Sequence, residues 1–393
     1  MKGTVDAHVA PGFPVVGVVG GGQLARMMQQ PAIALGIGLR VLATSVQDSA
    51  SQAVRDVRIG EHDDLEALRA FAAGCDVVTF DHEHVPPAHL EALEAEGVRV
   101  RPGPGALVHA QDKIVMREAL SAAGVPCPRW AVVSHVADVA EFAALAGWPV
   151  VLKASRGGYD GRGVWVLEDI SAVAAVWEVT PLPSGARWLA EECVDFVQEL
   201  CAQVARSPHG QAVAYPVVRT VQTGGICTEV VSPAPGLSGA EAVAAQQIAL
   251  TVAGALGVVG MLAVEMFETR DGRVLVNELA MRPHNSGHWS IDGAVTSQFE
   301  NHLRAVLDLP LGDPSAIAPY SVMVNVLGGD HGDMYRAFLH CMARDPGLRI
   351  HMYGKDVRPG RKVGHVTVVG DDLDSLLARA HHAADYLTGV IDE

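Results

Sequence analysis

The chain has 393 residues, nearly half of them apolar, and its formal net charge is −16. That length exceeds what one hydrophobic core usually serves, so we expect two or three domains. The acidic balance argues against a general role in binding nucleic acids or membrane surfaces, so any anion site must be local. The six cysteines show no CxxC pairing or metal-ligand spacing and are expected to be reduced structural thiols.

The segment before residue 15 lacks the charged and then apolar pattern of a signal peptide. One apolar run, Ile248–Val264, has the marginal length of a membrane-spanning helix. Its glycines, and Glu265 directly after it, favour a buried helix that is followed by a turn and a strand. We therefore expect a soluble, cytoplasmic protein without a membrane segment.

A buried strand, Val15–Val19, leads through three glycines into a helix. Glycines in this position let the backbone approach a ligand, and a helix N-terminus attracts anions. Pro31 is expected to kink or restart the helix, which should end near Gly36 or Gly38.

The turn Gly20–Ala25 also matches a dinucleotide-binding fingerprint. The strand after it, Leu39–Ala43, ends in Thr44 and Ser45 instead of the acidic residue that binds a ribose. A nicotinamide oxidoreductase, which would bind NAD(P) and would not depend on Mg²⁺, is therefore the weaker alternative. A phosphate-binding loop without a dinucleotide stays open.

The next strand, Val77–Phe80, runs into the polar stretch Asp81–Pro86. In an open parallel sheet, groups just past the carboxyl end of a strand lie where ligands bind, although a charged loop before a helix would have the same composition. With a closing strand at Val98–Arg101, residues 1–108 are predicted to form a first α/β domain.

Two lysines precede a glycine-rich segment. Lys113 begins a helix that Asp112 is expected to cap, and Lys153 ends a predicted strand. The segment Arg156–Gly163 contains four glycines, whose backbone N–H groups could cover phosphates. A long hairpin loop would explain the glycines, but not the lysine before them or Arg162 within them.

Further strands are predicted after this flap, and a connector that holds adenine is expected among them. Backbone groups typically bind adenine, so spacing alone cannot select the connector. The predicted elements are strands at 188–190, 200–205, 212–218 and 226–232 and a helix at 240–256.

The most informative stretch is a predicted hairpin with strands Met261–Phe267 and Val274–Leu279. Glu265 interrupts an otherwise apolar strand, and Glu278, which alternation places on the same face as Val276, ends the next one. Two carboxylates side by side repel each other unless a cation lies between them. Oxygen ligands with room left for substrate phosphates suit Mg²⁺, whereas a pair of solvated edge charges is the alternative.

Asn277 stands beside Glu278, and a run of polar side chains directly follows the hairpin: Arg282, His284, Asn285, Ser286 and His288. So many directional groups at the ends of apolar strands favour a ligand. The last part of the chain, with strands at 320–327, 349–353 and 364–369 and a helix at 373–387, is interpreted as a small α+β domain. Its loop Lys355–Lys362 carries four cations in eight residues. In an acidic protein such a loop indicates a phosphate clamp, although a solvated basic turn is the alternative.

Together, a lysine-ended strand, a glycine-rich flap, a connector with two glutamates and a carboxylate hairpin resemble the ATP-grasp enzymes. The strings VVGGGQLARM, KASRGGYDGRG, NELAMRPHNSGHW and KDVRPGRKVGH resemble the N5-carboxyaminoimidazole ribonucleotide synthase family of purine biosynthesis, in the same order and from about Val15 to Leu387. The resemblance implies an α/β protein of ATP-grasp fold. Its parts would be a Rossmann-like pre-ATP-grasp domain (1–108), an ATP-grasp domain (109–308, with a flap-bearing subdomain at about 130–194) and a small C-terminal α+β domain (309–393).

The resemblance also implies ligands for individual residues. ATP would be contacted by Lys113, Lys153, Gly157, Gly158, Gly161, Gly163, Glu191, Glu192, Cys193, Val194, Glu199, Gln222 and Asn277, and Mg²⁺ by Glu265 and Glu278. The catalytic residues would be Tyr159, Asp160, Arg162, Arg282 and His284, with Asp160 or His284 accepting a proton. The aminoimidazole ribonucleotide would be bound by Gly22, Gln23, Leu24, Glu83, His84, Asn285, Ser286, Lys355, Arg358, Arg361 and Lys362.

Three positions depart from the family pattern. Gln222 stands where some relatives have a histidine near the nucleotide, which puts that contact in question. Asp81 follows Phe80 where a glutamate is common, and Pro31 lies inside the first helix. None of these departures touches the carboxylate pair or the flap.

The implied reaction is the carboxylation of 5-aminoimidazole ribonucleotide by ATP and bicarbonate, through carboxyphosphate, in a homodimer. The nearest alternative is another ATP-grasp ligase acting on a purine precursor, such as formate-dependent glycinamide ribonucleotide transformylase, which the same phosphate clamp would suit. A non-catalytic nucleotide-sensing protein is a third alternative. It would be expected to lose one of the two carboxylates, and both are present.

Overall fold

The computed structural model describes residues 10–158, 161–329 and 333–392. The N-terminal elements are β1 (Val15–Val19), α1 (Gln23–Leu35), β2 (Gly38–Ala43), β3 (Asp56–Ile59), α2 (Leu65–Ala72), β4 (Val77–Phe80), α3 (Pro87–Ala95) and α4 (Pro104–Gln111). The four strands form a parallel sheet in the order β3-β2-β1-β4. Because β1 and β4 are parallel neighbours, the glycine turn after β1 lies beside the polar stretch after β4.

The expectation that Pro31 restarts the first helix is wrong, whereas a kink at Pro31 stays a prediction. α1 runs continuously through Pro31 and ends before Gly36, whose φ of 69° is left-handed, as the glycine signal predicts. Proline removes one helical N–H donor. Packing of the inner face of α1 offsets the loss of this hydrogen bond, because Met28 and Ala32, before and after Pro31, are fully buried in the core of the N-terminal sheet.

The middle of the chain begins with α5 (Lys113–Ala122), which Asp112 caps as predicted, accepting the Ile114 N–H at 3.0 Å. A small antiparallel sheet follows, in the strand order β5-β8-β6-β7. Its elements are β5 (Trp130–Val133), α6 (Val136–Ala146), β6 (Val150–Ala154), β7 (Val164–Leu167), α7 (Ile170–Val179) and β8 (Trp188–Glu192). The glycine-rich flap is the connection between β6 and β7.

A large antiparallel sheet forms the body of the molecule. Its elements up to residue 306 are β9 (Phe196–Arg206), β10 (Ala212–Ala214), β11 (Val218–Thr223), β12 (Ile226–Ser232), α8 (Gly239–Ala255), β13 (Gly260–Thr269), β14 (Val274–Ala280), α9 (Ser290–Gly293) and α10 (Gln298–Val306). The elements after it are β15 (Tyr320–Leu327), α11 (Phe338–Arg344), β16 (Arg349–Met352), β17 (Lys362–Gly370) and α12 (Leu373–Thr388).

The order of this sheet is β14-β13-β9-β11-β12-β15-β17-β16, with β10 pairing on β9. The C-terminal strands therefore extend the same sheet, through the pairing of β12 with β15. Helices α11 and α12 cover these strands and share a separate apolar core with them. The division of the chain near residues 108 and 308 remains a prediction.

Two predicted strands differ from expectation. Val98–Arg101 reduces to a single bridge with Val78, since Pro102 has no N–H to continue the pairing. The strand predicted at 212–218 is instead the pair β10 and β11, because Pro216 lies between them and cannot donate to a sheet.

No helix in the described ranges is both long and apolar enough to cross a membrane. The apolar run Ile248–Val264 divides between the end of α8 and the start of β13. This is the helix, turn and strand that its glycines predict.

Candidate active site

A cleft of about 960 Å³ opens between the flap-bearing sheet and the large sheet. It brings together residues that the sequence analysis placed in separate motifs. The predicted residues that line it are Glu83, His84, Lys113, Lys153, Gly157, Gly158, Gly161, Glu191, Glu192, Cys193, Val194, Glu199, Gln222, Glu265, Asn277, Glu278, Arg282, His284, Asn285 and Lys362.

The two predicted metal carboxylates face each other across the hairpin. Glu265 on β13 pairs directly with Glu278 on β14, and the next pair joins Met266 to Val276, so Asn277 is an extra residue in a β-bulge. The prediction that Glu278 shares a face with Val276 is therefore wrong. The bulge shifts the alternation, so that Val276 packs in the core while both Asn277 and Glu278 line the cleft.

The electrostatics of this pair suit a divalent cation. Burial, followed by the charges of Glu278 and Glu199, raises the pKa of Glu265 to about 7. Burial opposes ionisation of Glu278 as well, but the ammonium of Lys113 pairs with that carboxylate and lowers its pKa below the ordinary value. A cation between the two carboxylates would remove the repulsion that Glu265 now experiences.

The donor set also suits Mg²⁺ in particular. In the part of the chain that the structure describes, there is no group of three or more His, Cys, Asp or Glu side chains that could hold a metal. A cation at Glu265 and Glu278 would therefore need further oxygen ligands from phosphates or water. Mg²⁺ commonly binds in this way, through one or two carboxylates together with substrate phosphates.

Lys153 is held at the back of the cleft by two partners. Its Nζ lies 2.7 Å from Glu191 Oε2 and donates to Asn277 Oδ1 at 3.1 Å. Burial disfavours the charged form of Glu191, but Lys153 and Arg117 outweigh it and lower the pKa of Glu191 to about 2. The Glu191 carboxylate is thus occupied by protein cations, and its role here is to support the lysine.

Sequence reasoning missed Arg117, which is fully buried behind the cleft. Its guanidinium donates to Glu191 Oε1 at 2.6 Å and to the carbonyl oxygens of Val276 and Asn277, each at 2.9 Å. Arg117 therefore ties α5 to the bulge that carries Asn277. The signal for it was its spacing of four residues from Lys113 on one helix, which puts both cations on the same face.

An aromatic wall that the sequence analysis also missed lies beside the predicted adenine connector. The rings of Phe196 and Phe267 stack with centroids 4.8 Å apart, and both residues line the cleft together with Cys193 and Val194. Such a wall suits a flat base. The signal was alternation along β13, which places Phe267 on the same face as Glu265.

A second cavity of about 420 Å³ adjoins the first. Its predicted lining residues are Gly22, Gln23, Leu24, Arg282, His284, Asn285, Lys355, Arg361 and Lys362. Arg282, His284, Asn285 and Lys362 line both cavities and so mark the junction between them. The basic loop and the glycine turn, more than 300 residues apart, meet here, where the ammonium of Lys355 pairs with the side-chain oxygen of Gln23.

Asp81 shapes the glycine turn, and its role was not predicted. Its carboxylate accepts the N–H of Gly22 at 2.9 Å and that of Ala25 at 2.8 Å. A Cβ at Gly22 would lie 2.0 Å from Asp81 Oδ2, so this position requires glycine. The aspartate in place of a more common glutamate therefore has a structural function at the start of α1.

Two side chains at the junction have defined partners. Glu83 Oε2 accepts from Arg282 Nε at 2.8 Å, which links the first sheet to the segment after the hairpin. His284 places Nε2 at 3.2 Å from Glu265 Oε1 and Nδ1 at 2.9 Å from Ser286 Oγ. Burial, followed by the charges of Arg282 and Lys362, lowers the pKa of His284 to about 3, so the imidazole is neutral.

Some predicted residues do not line either cavity: Gly163, Arg162, Ser286 and Arg358. Ser286 is fully buried, where it donates to Cys201 Sγ at 3.0 Å, and the exposed Arg358 lies 3.5 Å from Asp356. Tyr159 and Asp160 lie outside the described residues.

Comparison with known families matches three models along the chain. Residues 14–111 match the ribonucleotide synthetase preATP-grasp domain, and residues 118–299 match the ATP-grasp domain. Residues 321–379 match the phosphoribosylaminoimidazole carboxylase C-terminal domain.

Curated relatives cover nearly the whole chain. It is 57% identical over 378 residues to the N5-carboxyaminoimidazole ribonucleotide synthase of Mycobacterium bovis, covering 95% of this chain and 88% of that protein. It is 46% identical over 392 residues to the synthase of Corynebacterium ammoniagenes, covering 98% and 94% of the two chains.

Solved structures agree in fold. The Aspergillus clavatus enzyme complexed with ATP superposes with a TM-score of 0.87 at 32% identity, covering 96% of this chain and 99% of that one. The same fungus's enzyme in complex with ADP and 5-aminoimidazole ribonucleotide gives a TM-score of 0.86 at 32% identity, covering 95% and 98%. The chain therefore has an ATP-grasp domain with a preATP-grasp domain before it, and it belongs to the N5-carboxyaminoimidazole ribonucleotide synthase family of ATP-grasp ligases.

Proposed function

We propose that this chain carboxylates 5-aminoimidazole ribonucleotide, with ATP and bicarbonate, to N5-carboxyaminoimidazole ribonucleotide in purine biosynthesis. The observation that carries the proposal is the pair of adjoining cavities. One contains the lysines, the glycine flap and the carboxylate pair, and the other contains the basic loop. A reactive group made in the first cavity can reach an acceptor in the second without leaving the protein.

The first cavity activates bicarbonate. A bicarbonate oxygen attacks the γ-phosphorus of ATP, the bond from that phosphorus to the β–γ bridging oxygen breaks, and carboxyphosphate and ADP form. Lys113 and Lys153 neutralise the negative charge that develops on the phosphates. Mg²⁺, when bound between Glu265 and Glu278, would supply further charge neutralisation at the β- and γ-phosphates.

Phosphate oxygens and the protein carboxylates compete for the same cations. Lys113 pairs with Glu278, and Lys153 pairs with Glu191. A cation held by Glu278 would replace Lys113 as the partner of that carboxylate, which would leave the ammonium of Lys113 to neutralise a phosphate. The ion pairs therefore hold the lysines close to the positions in which they act.

The junction performs the transfer. Carboxyphosphate loses phosphate to give CO₂, and the 5-amino nitrogen of the imidazole attacks that carbon to form the carbamate N–C bond. The amino group loses a proton in this step, and the neutral His284, with its lowered pKa, is a weak base for it. Asp160, the other predicted acceptor, lies outside the described residues, so both residues stay predicted acceptors for this proton.

Water must be kept from carboxyphosphate and CO₂ during the transfer. The flap connects β6 to β7, and three of its described residues, Gly157, Gly158 and Gly161, line the first cavity. Its closure on bound phosphates would exclude water and commit the intermediate to transfer.

The test measures ADP release with MgATP and bicarbonate, with and without the ribonucleotide. We expect strong stimulation by 5-aminoimidazole ribonucleotide, which is lost when formate replaces bicarbonate. Stimulation by formate with glycinamide ribonucleotide would instead indicate a transformylase. No stimulation by either acceptor, in folded protein that binds ATP, would contradict the proposal.

We also propose that the enzyme requires Mg²⁺, acts in the cytoplasm and is a homodimer. The facing carboxylates support the metal, and the family resemblance supports the dimer. Activity after chelation and readdition of Mg²⁺ tests the first point, and the mass in solution by light scattering tests the last. A monomeric mass at working concentration would contradict the dimer.

A further inference from the structure

The segment that follows the hairpin is held from behind by Gln298, the first residue of α10. Its side-chain Oε1 accepts the backbone N–H of His284 at 2.8 Å, and its Nε2 donates to the backbone oxygen of His284, also at 2.8 Å. The side-chain amide thus pairs with both backbone polar groups of one residue, as a neighbouring strand would. These two hydrogen bonds fix the position and the orientation of the backbone at His284.

Gln298 has no hydrogen-bonding freedom left. It is fully buried, Oε1 accepts a second hydrogen bond from Gln203 Nε2 at 3.2 Å, and Nε2 lies 3.0 Å from His288 Nδ1. Both of its N–H groups and its oxygen are therefore used within the protein. Since Nε2 can only donate, His288 must present Nδ1 as an acceptor.

The backbone packs tightly onto this amide cluster. A Cβ at Gly287 would lie 2.3 Å from Gln203 Oε1 and 2.4 Å from Gln298 Oε1. A side chain there would displace the segment, and the glycine lets the chain lie directly against the two glutamines. The segment is consequently positioned by packing as well as by hydrogen bonds.

The positioned residues are those at the junction of the two cavities. Arg282, His284 and Asn285 line both cavities, and the His284 imidazole reaches Glu265 at 3.2 Å. Gln298 itself lines neither cavity. It can act on the reaction only through the segment it holds.

We propose that Gln298 is a positioning residue that couples the two half-reactions, by fixing the junction across which the carboxyl group passes to the ribonucleotide. This inference rests on the proposed function. A displaced junction loses the contact of His284 with Glu265 but keeps Lys113, Lys153 and the hairpin strands that carry both carboxylates, so we expect ATP still to be cleaved. The carboxyl group then escapes to water more often before the amino group captures it.

The test is Gln298→Glu, which keeps the shape of the side chain and the bond from the His284 N–H. It removes at least one of the two donated bonds, because an ionised carboxylate donates none and a carboxyl group that burial keeps protonated donates only one. We expect the ratio of ADP to carbamate product, which is one in a coupled enzyme, to rise several-fold, with product formation down about 10- to 100-fold. ADP and ¹³C-labelled carbamate from ¹³C-bicarbonate are measured in the same sample.

Gln246→Glu is the matched control. Gln246 is a partly buried glutamine on α8 that donates to the backbone oxygen of Tyr215 at 2.8 Å and lines neither cavity. It should keep a ratio of one. If Gln298→Glu does not fold, Gln298→Met, which fills the volume without polar atoms, is subjected to the same measurement.

The outcomes separate the two proposals. A coupled wild type together with a folded Gln298 variant whose ratio stays at one would overturn this inference and leave the function standing. A wild type that forms no carbamate at all would overturn the function, and this inference with it. A loss of stability at Gln298 with unchanged coupling would mean that its role is only structural.

Discussion

The hairpin β13–β14 and the segment that follows it, residues 281–298, differ in how their polar residues are used. On the hairpin, Glu265, Asn277 and Glu278 all line the cleft. In the segment, Arg282, His284 and Asn285 line the cavities. Three other polar residues, Ser286, His288 and Gln298, are buried and form hydrogen bonds within the protein. Ser286 bonds to Cys201 and His284, His288 bonds to Gln298, and Gln298 bonds to the backbone of His284. Neighbouring residues in one polar run thus have different functions.

The difference follows from backbone geometry. A strand directs successive side chains to opposite faces, so a carboxylate in an apolar strand can be assigned to the open face. An irregular segment has no such period. Its buried polar groups must find hydrogen-bond partners inside the protein. A stretch rich in polar residues can therefore contain residues that support the fold as well as residues that bind a ligand.

The largest expected effect comes from the hairpin, with Glu278→Gln. The change removes one of the facing carboxylates and the ion-pair partner of Lys113. We expect ATP turnover to fall about 10²- to 10³-fold or more, while binding of the ribonucleotide in the second cavity stays largely intact. Glu268→Gln is the control on the partner strand β13 of the same hairpin, since Glu268 accepts a hydrogen bond from Gln198 and does not line the cleft. Surviving turnover in Glu278→Gln would refute the metal assignment.

We expect a smaller effect on activity from two neighbouring residues of the segment, Asn285 and Ser286. Asn285→Ala removes a side chain that lines both cavities, and Ser286→Ala removes a hydroxyl that bonds inside the protein. We expect Asn285→Ala to raise the KM for the ribonucleotide about 2- to 10-fold, the value of one lost hydrogen bond. Ser286→Ala should chiefly lower stability, by about 1 kcal/mol.

Steady-state kinetics and thermal unfolding of the same two preparations check that contrast. If Ser286→Ala raised the KM more than Asn285→Ala did, the division of this segment into ligand contacts and scaffold would be wrong.

The basic loop offers a second matched pair with an effect of similar or smaller size. Arg361 lines the second cavity, whereas Arg358 does not and lies near Asp356. Arg361→Ala should raise the KM for the ribonucleotide several-fold, because a charge-assisted contact to its phosphate is lost. Arg358→Ala should stay within about twofold of the wild type. Both are compared at one ionic strength, and equal effects would mean that the loop acts only through its net charge.

The smallest perturbation uses the thiol beside the aromatic wall. Cys193 is an exposed residue that lines the first cavity. Partial desolvation of its thiol, followed by the charges of Glu168 and Asp195, raises its pKa above the ordinary value, so its labelling by a maleimide should be slow. Bound nucleotide should slow it further, by about tenfold at a concentration ten times its Kd. Cys193→Ser identifies the label by mass spectrometry. If the ribonucleotide slowed the labelling of Cys193 and MgADP did not, adenine would not bind beside Cys193.

Regular elements were largely predictable from sequence. The strands β1 and β4 have the predicted bounds, and alternation in β13 singles out Glu265. The bulge at Asn277 was not predictable, because a single extra residue leaves no periodic signal. The hydrogen bonds that support the site could not be predicted either, because they join residues far apart in the sequence. Gly22 meets Asp81 across 59 residues and Arg117 meets Asn277 across 160, and no local pattern reports such pairs.

The ligands of individual residues came from family resemblance and could not have come from periodicity. Lys355 and Gln23 illustrate the limit, since charge density marked the loop but only the fold shows which turn it faces. Ser286 illustrates the converse, because its motif is specific to the family while its side chain is buried. A specific motif therefore marks what the fold requires as well as what the ligand touches.

We propose that bicarbonate attacks ATP in the first cavity and that its carbon reaches the ribonucleotide at the junction of the two cavities. The most direct test uses bicarbonate labelled with ¹⁸O in a full reaction with MgATP and 5-aminoimidazole ribonucleotide. Attack on the γ-phosphorus leaves one bicarbonate oxygen bonded to that phosphorus, so we predict one ¹⁸O in the inorganic phosphate released. Phosphate without ¹⁸O, formed together with labelled carbamate, would show that bicarbonate does not attack the γ-phosphorus.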